Sequence, residues 1–221
     1  MKKAVQIVAT SLGIYAALLG IEHGVNETLQ GNKAIGGMMF NAIGQPCVPD
    51  EMWHACQPAM SLLPNFLSAG ILSVLVGAGM LAWSLLFIKR KHGGKVMIGL
   101  SVLLLLAGGG FIPPMIGVMA GIIGINIHTP LDWWRARLSD NLQSKLVKFW
   151  PRTLNFYFMW VLLQWVMGDT INDFLLEQGL LISFISNALL LLMVFSAVAY
   201  DLKQQDAALE PVVELAADVN S

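Results

Sequence analysis

The sequence contains little charge. Only 12% of its 221 residues are Asp, Glu, Lys or Arg, whereas 56% are hydrophobic, and a typical soluble domain is charged at about 25% of its positions. Too few charged side chains are available to cover a globular surface, so the predicted partner is the lipid bilayer. The net charge of −1, with no basic run interleaved with aromatic residues, gives no sign of a nucleic-acid partner.

Known catalytic motifs are also absent. The chain has no G-x-S-x-G, H-E-x-x-H, Walker A or Rossmann glycine pattern, so the sequence leaves open whether the protein is an enzyme. Lys2 and Lys3 before an apolar run resemble a secretory signal. However, the run continues to Ile21 without a small-x-small cleavage site. We therefore expect an uncleaved first span.

Cysteine is scarce. Cys47 and Cys56 are the two cysteines, and both lie in the loop 26–63 between the first two predicted spans. In an oxidising compartment, two cysteines in one loop most simply form a disulfide. The alternative is a zinc site that adds His54, with Asp50 as a further candidate ligand, but Cys-x6-His-x-Cys matches no structural zinc pattern. We predict the disulfide.

Four apolar segments have the roughly 20 residues needed to cross about 30 Å of hydrocarbon. These segments are residues 4–25, 64–88, 154–176 and 180–200. A fifth segment, 96–127, is too long for one span and too short for two. The predicted fold class is an all-α integral membrane protein, with four full transmembrane helices, one broken or re-entrant helical pair and an amphipathic interfacial helix. It forms one transmembrane domain over 1–200, followed by a polar cytoplasmic tail over 201–221.

The middle of the fifth segment cannot continue an α-helix. It reads Gly108, Gly109, Gly110, Phe111, Ile112, Pro113 and Pro114. A glycine weakens a helix by about 1 kcal/mol, and a proline removes a backbone donor and clashes with the preceding turn. The sequence therefore predicts helix, break and helix, with arms of about a dozen residues, each reaching only about halfway across the membrane.

Basic residues indicate whether this pair crosses the membrane or returns. If it returns, twelve of the 13 Lys and Arg residues lie on one side and only Lys33 lies on the other. A single crossing would divide them almost evenly. Because Lys and Arg accumulate on the cytoplasmic side, we predict a returning pair, with both termini cytoplasmic, in a bacterial inner membrane. Two short, tilted spans would give the same topology and stay open.

A basic amphipathic helix is predicted over residues 130–150. Thr129 is placed as its N-cap, Pro130 at its first position and Asp132 at its third. Apolar residues then recur at helical spacing among arginines and lysines. Such a helix lies in the headgroup plane of a membrane.

Ionisable residues within spans are the candidate functional residues, because charge is costly inside a membrane. The candidates for a cation or proton site are Glu22, His23 and Glu27 on the first span, and Asp169 and Asp173 on the fourth. Both groups are expected near the outer boundary, where they can meet. A histidine with carboxylates suits a divalent cation, for which Glu22, His23 and Asp169 are the candidate ligands. It equally suits a proton relay, and the plain alternative is a set of wet boundary residues.

The break is the second candidate site. The helix that starts at Pro113 points an N-terminus into the bundle, where an anion or a carbonyl oxygen is favoured. Against this, Gly117 and Gly121 suggest that the break serves close helix packing. Several polar residues are candidates to line a shared cavity: Asn65, Ser68, Ser73, Gln164, Ser183, Ser186 and Asn187.

Three stretches resemble an uncharacterised family of small bacterial multi-pass membrane proteins. They are residues 20–32, which include Glu22, His23 and Glu27, residues 90–94 (Arg-Lys-His-Gly-Gly) and the break 108–114. The resemblance covers roughly the first 135 residues. No activity is assigned to that family, so the resemblance implies a membrane location.

Three functions remain open at this point. A small transporter or channel-like protein for an ion or a small solute is favoured, because broken helices with intramembrane acids are common in transporters. The alternatives are an intramembrane metal- or proton-dependent enzyme, and an accessory subunit that packs as a homo-oligomer or within a membrane complex.

Overall fold

The computed structural model describes residues 2–41, 58–168 and 170–219, with side chains to residue 208, and most of these residues are helical. The predicted all-α class is confirmed. The helices are α1 (Lys3–Leu29), α2 (Phe66–Leu86), α3 (Gly93–Ala107), α4 (Ile112–Ile125), α5 (Asp132–Arg135), α6 (Asp140–Phe149), α7 (Arg152–Met167), α8 (Asn172–Glu177) and α9 (Gly179–Val219). Two short antiparallel strands, β1 (Met39–Asn41) and β2 (Pro58–Met60), precede α2.

Three helices of the described chain are long and apolar enough to cross a membrane. They are α1, α2 and residues 179–208 of α9. The fourth predicted span, 154–176, is shorter than expected: α7 has 16 residues, or about 24 Å at 1.5 Å per residue. It ends before Gly168, and the separate α8 begins at Asn172, because glycine and asparagine favour helix ends over helix interiors.

Helix α1 lies at the centre of the bundle, where it packs against α2, α4 and α9. Small residues let the backbones come close. A Cβ atom at Gly24 would lie 2.7 Å from the carbonyl oxygen of Gly70 on α2, and one at Gly20 would lie 2.6 Å from the Leu104 side chain on α3. Close packing of this kind replaces the hydrophobic effect as the force that joins helices in lipid.

The predicted break is present, and α3 and α4 form an antiparallel helical hairpin around it. Gly94, at the start of α3, faces the end of α4, where a Cβ atom at Gly94 would overlap the Gly121 carbonyl oxygen. Toward the break, Gly117 of α4 faces Ser101 of α3 in the same way. The arms have 15 and 14 residues, or about 22 and 21 Å, which is more than the half-membrane length expected from the sequence. We call the residues between them, Gly108 to Phe111, the hairpin tip.

One end of the bundle collects the chain segments that flank this hairpin. His128, just after α4, donates its Nε2–H to the carbonyl oxygen of Lys89, just before α3, over 2.7 Å. The Lys2 ammonium group donates to the carbonyl oxygen of Asn126 over 2.9 Å. Burial lowers the pKa of Lys2, and the carboxylates of Asp201 and Asp132 oppose that change. We call this the inner end and the opposite end, which holds the hairpin tip, the outer end.

Asp201 joins α9 to α1 at the inner end. Its carboxylate accepts hydrogen bonds from the backbone N–H groups of Val5, at 2.8 Å, and Ala4, at 3.2 Å. These donors belong to the first turn of α1, where a helix has no internal acceptors and a carboxylate is stabilising. The segment predicted as a polar tail from residue 201 therefore begins within a continuous helix, and its first residue is buried.

The predicted amphipathic helix over 130–150 forms two helices instead of one. The chain leaves helical geometry after α5, and Ser139 begins α6 by accepting the Leu142 N–H. A serine followed by aspartate is a strong helix start, so this cap replaces the one predicted at Thr129. Leu146 of α6 is buried, and α6 packs against α9.

The chain that follows β2 caps the hairpin tip. The Ser61 hydroxyl donates to the carbonyl oxygen of Ala107 over 3.0 Å, and the Leu62 N–H donates to the carbonyl oxygen of Leu106 over 3.0 Å. These contacts satisfy the last carbonyl groups of α3. The predicted Cys47–Cys56 disulfide lies outside the described residues.

Gly94 and Gly99, both on α3, give a matched test of the hairpin. Gly94→Ala is expected to lower the free energy of unfolding by about 1–3 kcal/mol, because its methyl group overlaps α4. Gly99 has nothing within 4 Å of its Cβ position, so Gly99→Ala is expected to be neutral or to stabilise by up to about 1 kcal/mol. Thermal unfolding of the two variants in mild detergent compares them, and equal effects would contradict the antiparallel contact.

Candidate functional site

The hairpin tip rests on the outer part of α1. Gly108 has φ of 123° and Gly110 has φ of 73°, values that favour glycine. A Cβ atom at Gly108 would lie 2.7 Å from Oε2 of Glu27, and one at Gly110 would lie 2.6 Å from Nε2 of His23. The two regions that the sequence offered as separate candidates therefore meet in one place.

His23 is held in a defined orientation. Its side chain is 4% exposed, and its Nδ1 lies 3.1 Å from the carbonyl oxygen of Leu19, one turn earlier on α1. A carbonyl oxygen only accepts hydrogen bonds, so Nδ1 must carry the proton. The other ring nitrogen, Nε2, faces the backbone of Gly110.

Glu27 is completely buried beside the tip. Its exposed fraction is 0%, and neither carboxyl oxygen has a hydrogen-bond partner among the described residues. An ionised carboxylate without a partner is very costly to bury, and even a neutral polar group costs about 1–3 kcal/mol when it is left unsatisfied. The geometry suits a carboxyl group that holds a proton or a cation.

A cavity of about 390 Å³ lies next to this pair, between α1, α4, α7 and α9. Glu22 and His23 contribute its wall on α1. Polar side chains from the other helices line it as well: Gln164 of α7, and Ser183, Ser186 and Asn187 of α9. Ser186 also accepts a hydrogen bond from the Trp160 indole over 2.8 Å, which joins α7 to α9 behind the cavity.

The cavity is closed toward the inner end. The lining residues nearest that end are Tyr15 of α1, Met119 of α4, Tyr157 of α7 and Leu190 of α9, and Tyr157 and Leu190 are buried. Phe158 packs its ring edge-to-face on Tyr15, with ring centroids 6.2 Å apart. These side chains form a floor, which separates the cavity from the inner half of the bundle.

The outer half of the cavity has an exposed rim. Among the lining residues, Met115 is 65% exposed, and Ile112 and Trp165 are each 50% exposed. All three have large apolar surfaces and belong to α4 or α7. A ligand can therefore reach the cavity past apolar side chains in its outer half.

The remaining candidates are distributed unevenly around this site. Pro113 lines the cavity, whereas Pro114 is buried in the first turn of α4 and Gly109 packs on Leu104. Asp173 is exposed on α8 and does not line the cavity, and Asp169 lies outside the described residues. Asn65, Ser68 and Ser73 lie elsewhere, and Asn65 caps α2 by accepting the Ser68 N–H.

A metal centre has little support from the described part of the chain. There, no three His, Cys, Asp or Glu side chains lie close enough together to share a metal ion. Glu22 and His23 remain as a pair of candidate ligands, and the structure does not bring Asp173 to them.

The sequence reasoning missed the aromatic residues of the cavity. Tyr15, Tyr157 and Trp165 all line it. A signal was present for Tyr15, which lies two turns before Glu22 on the same face of α1. Nothing comparable marked Tyr157 or Trp165, because they reach the cavity only through the packing of α7.

Gly110 and Gly36 give a matched test of the contact between the tip and His23. Both have positive φ, 73° and 77°, but Gly36 has nothing within 4 Å of its Cβ position. Gly110→Ala is therefore expected to lower the free energy of unfolding by about 1–3 kcal/mol more than Gly36→Ala. When Gly110→Ala is combined with His23→Ala in a double-mutant cycle, the ring that the new methyl group would meet is absent. Most of the extra loss in the free energy of unfolding should then disappear. Equal losses at the two glycines would show that the tip does not pack on His23.

Comparisons with protein-family models, with curated proteins and with solved structures found no match to this chain. The function proposed for the chain therefore rests on the chemistry of the cavity and the hairpin tip.

Proposed function

We propose that the protein is a multi-pass transporter of a bacterial inner membrane, which binds an ion or a small solute in the cavity beside His23. The cavity is the observation that carries this proposal. It is large enough for a small ligand, has polar groups on three helices, is open in its outer half and is closed toward the inner end. Most ligand sites combine apolar walls with a few placed polar groups in this way.

The orientation follows from the two ends of the bundle. Lys2, Lys89 and the turn after α4 meet at the inner end, and a returning hairpin leaves twelve of the 13 basic residues on that side. This distribution favours a cytoplasmic inner end.

Transport is favoured over a channel by the floor of the cavity. Tyr157 and Leu190 are buried beneath the cavity, so passage to the inner end requires the helices to move. The hairpin tip gives the bundle a joint at which such movement can occur, because short broken helices beside a binding site are a recurring device in transporters.

His23 supplies the physical connection between the ligand and the tip. It lines the cavity on one side and packs on Gly110 on the other. Glu27, one turn later on α1, is the residue that holds a proton or a cation under the tip. A ligand that displaces His23 would therefore change the surroundings of Glu27. His23 alone would then couple the ligand in the cavity to the carboxyl group under the tip.

An enzyme and an accessory subunit are less well supported. The described residues contain no cluster of three His, Cys, Asp or Glu side chains for a metal-dependent enzyme. An accessory subunit needs neither a polar cavity nor a buried carboxyl group. An accessory role predicts that Glu22→Gln leaves the activity of the protein unchanged. Ligand binding to the Glu22→Gln variant also tests this prediction.

Alternating access is tested by labelling one cavity position from both sides of the membrane. In a background with Cys47→Ser and Cys56→Ser, we expect Gln164→Cys to react with a membrane-impermeant maleimide in intact cells. We also expect it to react in inverted membrane vesicles, because a transporter presents one site to each side in turn. Labelling from the outside alone would contradict transport and favour a one-sided binding pocket.

Two further positions serve as controls in the same background. Ser196 is buried in the inner half of the bundle, so Ser196→Cys should stay unlabelled on both sides. Gln143 lies on α6, which follows the hairpin, so Gln143→Cys should react only in inverted vesicles. Labelling of Gln143→Cys in intact cells would contradict the returning hairpin and the orientation drawn from it.

A further inference from the structure

The cavity carries an acidic group, Glu22. Among the described residues that line the cavity, Glu22 is the one carboxylate and none is Lys or Arg. His23 is the other lining residue of a type that exchanges protons near neutral pH. Its ring already bonds to the Leu19 carbonyl oxygen and packs on the hairpin tip. Asn26 donates to the backbone carbonyl oxygen of Glu22, so this hydrogen bond leaves the Glu22 carboxylate unengaged.

Besides its polar groups, the cavity has aromatic and aliphatic walls. Tyr15, Tyr157 and Trp165 contribute rings, while Ile116 and Met119 contribute aliphatic surface from α4. Aromatic faces attract organic cations, because the ring quadrupole is negative above and below the ring plane. Methionine adapts to ligands of irregular shape. The volume of about 390 Å³ lies toward the small end of ligand pockets.

Glu22 favours a positive charge on the ligand and the rings favour an organic group, and the exposed rim of the cavity restricts the ligand further. Met115, Ile112 and Trp165 present large apolar side chains at the opening, so a molecule with an apolar portion is favoured on the way in. A fully hydrated ion would have to lose its water against these side chains. An anion would meet Glu22 with no Lys or Arg in the lining to offset the repulsion.

We infer that the cavity binds a small amphipathic organic cation, with its charged group beside Glu22 and its apolar portion against α4 and α7. This inference rests on the proposed function of binding a small solute and names the class of that solute. The acid sets the sign of the charge, the rings accept a bulky substituted ammonium group, and the apolar rim selects for an amphipathic molecule.

Two ligands of the same shape separate charge from shape. Phenyltrimethylammonium is a small aromatic cation, and tert-butylbenzene is its uncharged carbon isostere. Equilibrium binding of each to the purified full chain in mild detergent is measured by calorimetry, with protein-free micelles as the blank. We expect saturable binding of the cation and at least about tenfold weaker binding of the isostere. The isostere has no charge, so it cannot form the ion pair with Glu22 that the cation forms.

Variants assign the effect to Glu22. Glu22→Gln should weaken binding of the cation about tenfold or more and leave the isostere unchanged. Asp173→Asn removes the same charge from an exposed position outside the cavity, so it should leave both affinities unchanged. Ile116→Trp, which fills the cavity from α4, should abolish binding of the cation, and it keeps the test informative if Glu22→Gln fails to fold.

Several results would overturn the inference. Equal affinity for the two ligands, a Glu22→Gln variant that binds the cation normally, or no binding of the cation at all would each do so. The first two would leave a small-solute cavity in place, so the proposed transport function would survive them. Conversely, one-sided labelling of Gln164→Cys would contradict transport while binding of the cation stands.

Discussion

The rest of this structure depends on one constraint, a carboxyl group that is buried in an apolar bundle and has no hydrogen-bond partner among the described residues. Glu27 is fully buried on α1, and the hairpin tip lies directly over it. Only a backbone without side chains can come so close, and Gly108 and Gly110 also have positive φ. The three glycines and the two prolines that follow them therefore end one helix, start the next and cover an acid between the two.

The arrangement is more easily explained by function than by stability. An apolar residue in place of Glu27 would avoid an unsatisfied polar group, which costs about 1–3 kcal/mol, and natural proteins keep such costs mainly where activity requires them. His23 extends the arrangement to the cavity, because the same ring packs on the tip and lines the wall that carries Glu22. Glu27 would hold a proton or a cation under the tip, and Glu22 and His23 would contact a ligand in the cavity. Both events would then take place on neighbouring faces of α1.

The sequence was sufficient for features that depend on local chemistry. Length and apolar character predicted α1, α2 and the span within α9, and the run from Gly108 to Pro114 predicted the break. It was insufficient where two local signals compete, as at Ser139, whose cap replaced the one expected at Thr129. The polar lining of the cavity was partly predicted, since Gln164, Ser183, Ser186 and Asn187 all line it. Its aromatic lining was beyond the sequence, because Tyr157 and Trp165 reach the cavity only through the packing of α7. Side-chain shape decides that packing, and helical periodicity does not encode it.

Thermal unfolding of Glu27→Met in mild detergent tests the central claim most directly, with Glu177→Met at an exposed position as the matched control. Methionine has a similar length and no group that needs a hydrogen bond. The account predicts that Glu27→Met unfolds at a higher temperature than the wild-type protein, while Glu177→Met is unchanged. A lower unfolding temperature for Glu27→Met would show that the carboxyl group stabilises the fold, and would contradict a buried acid retained for function.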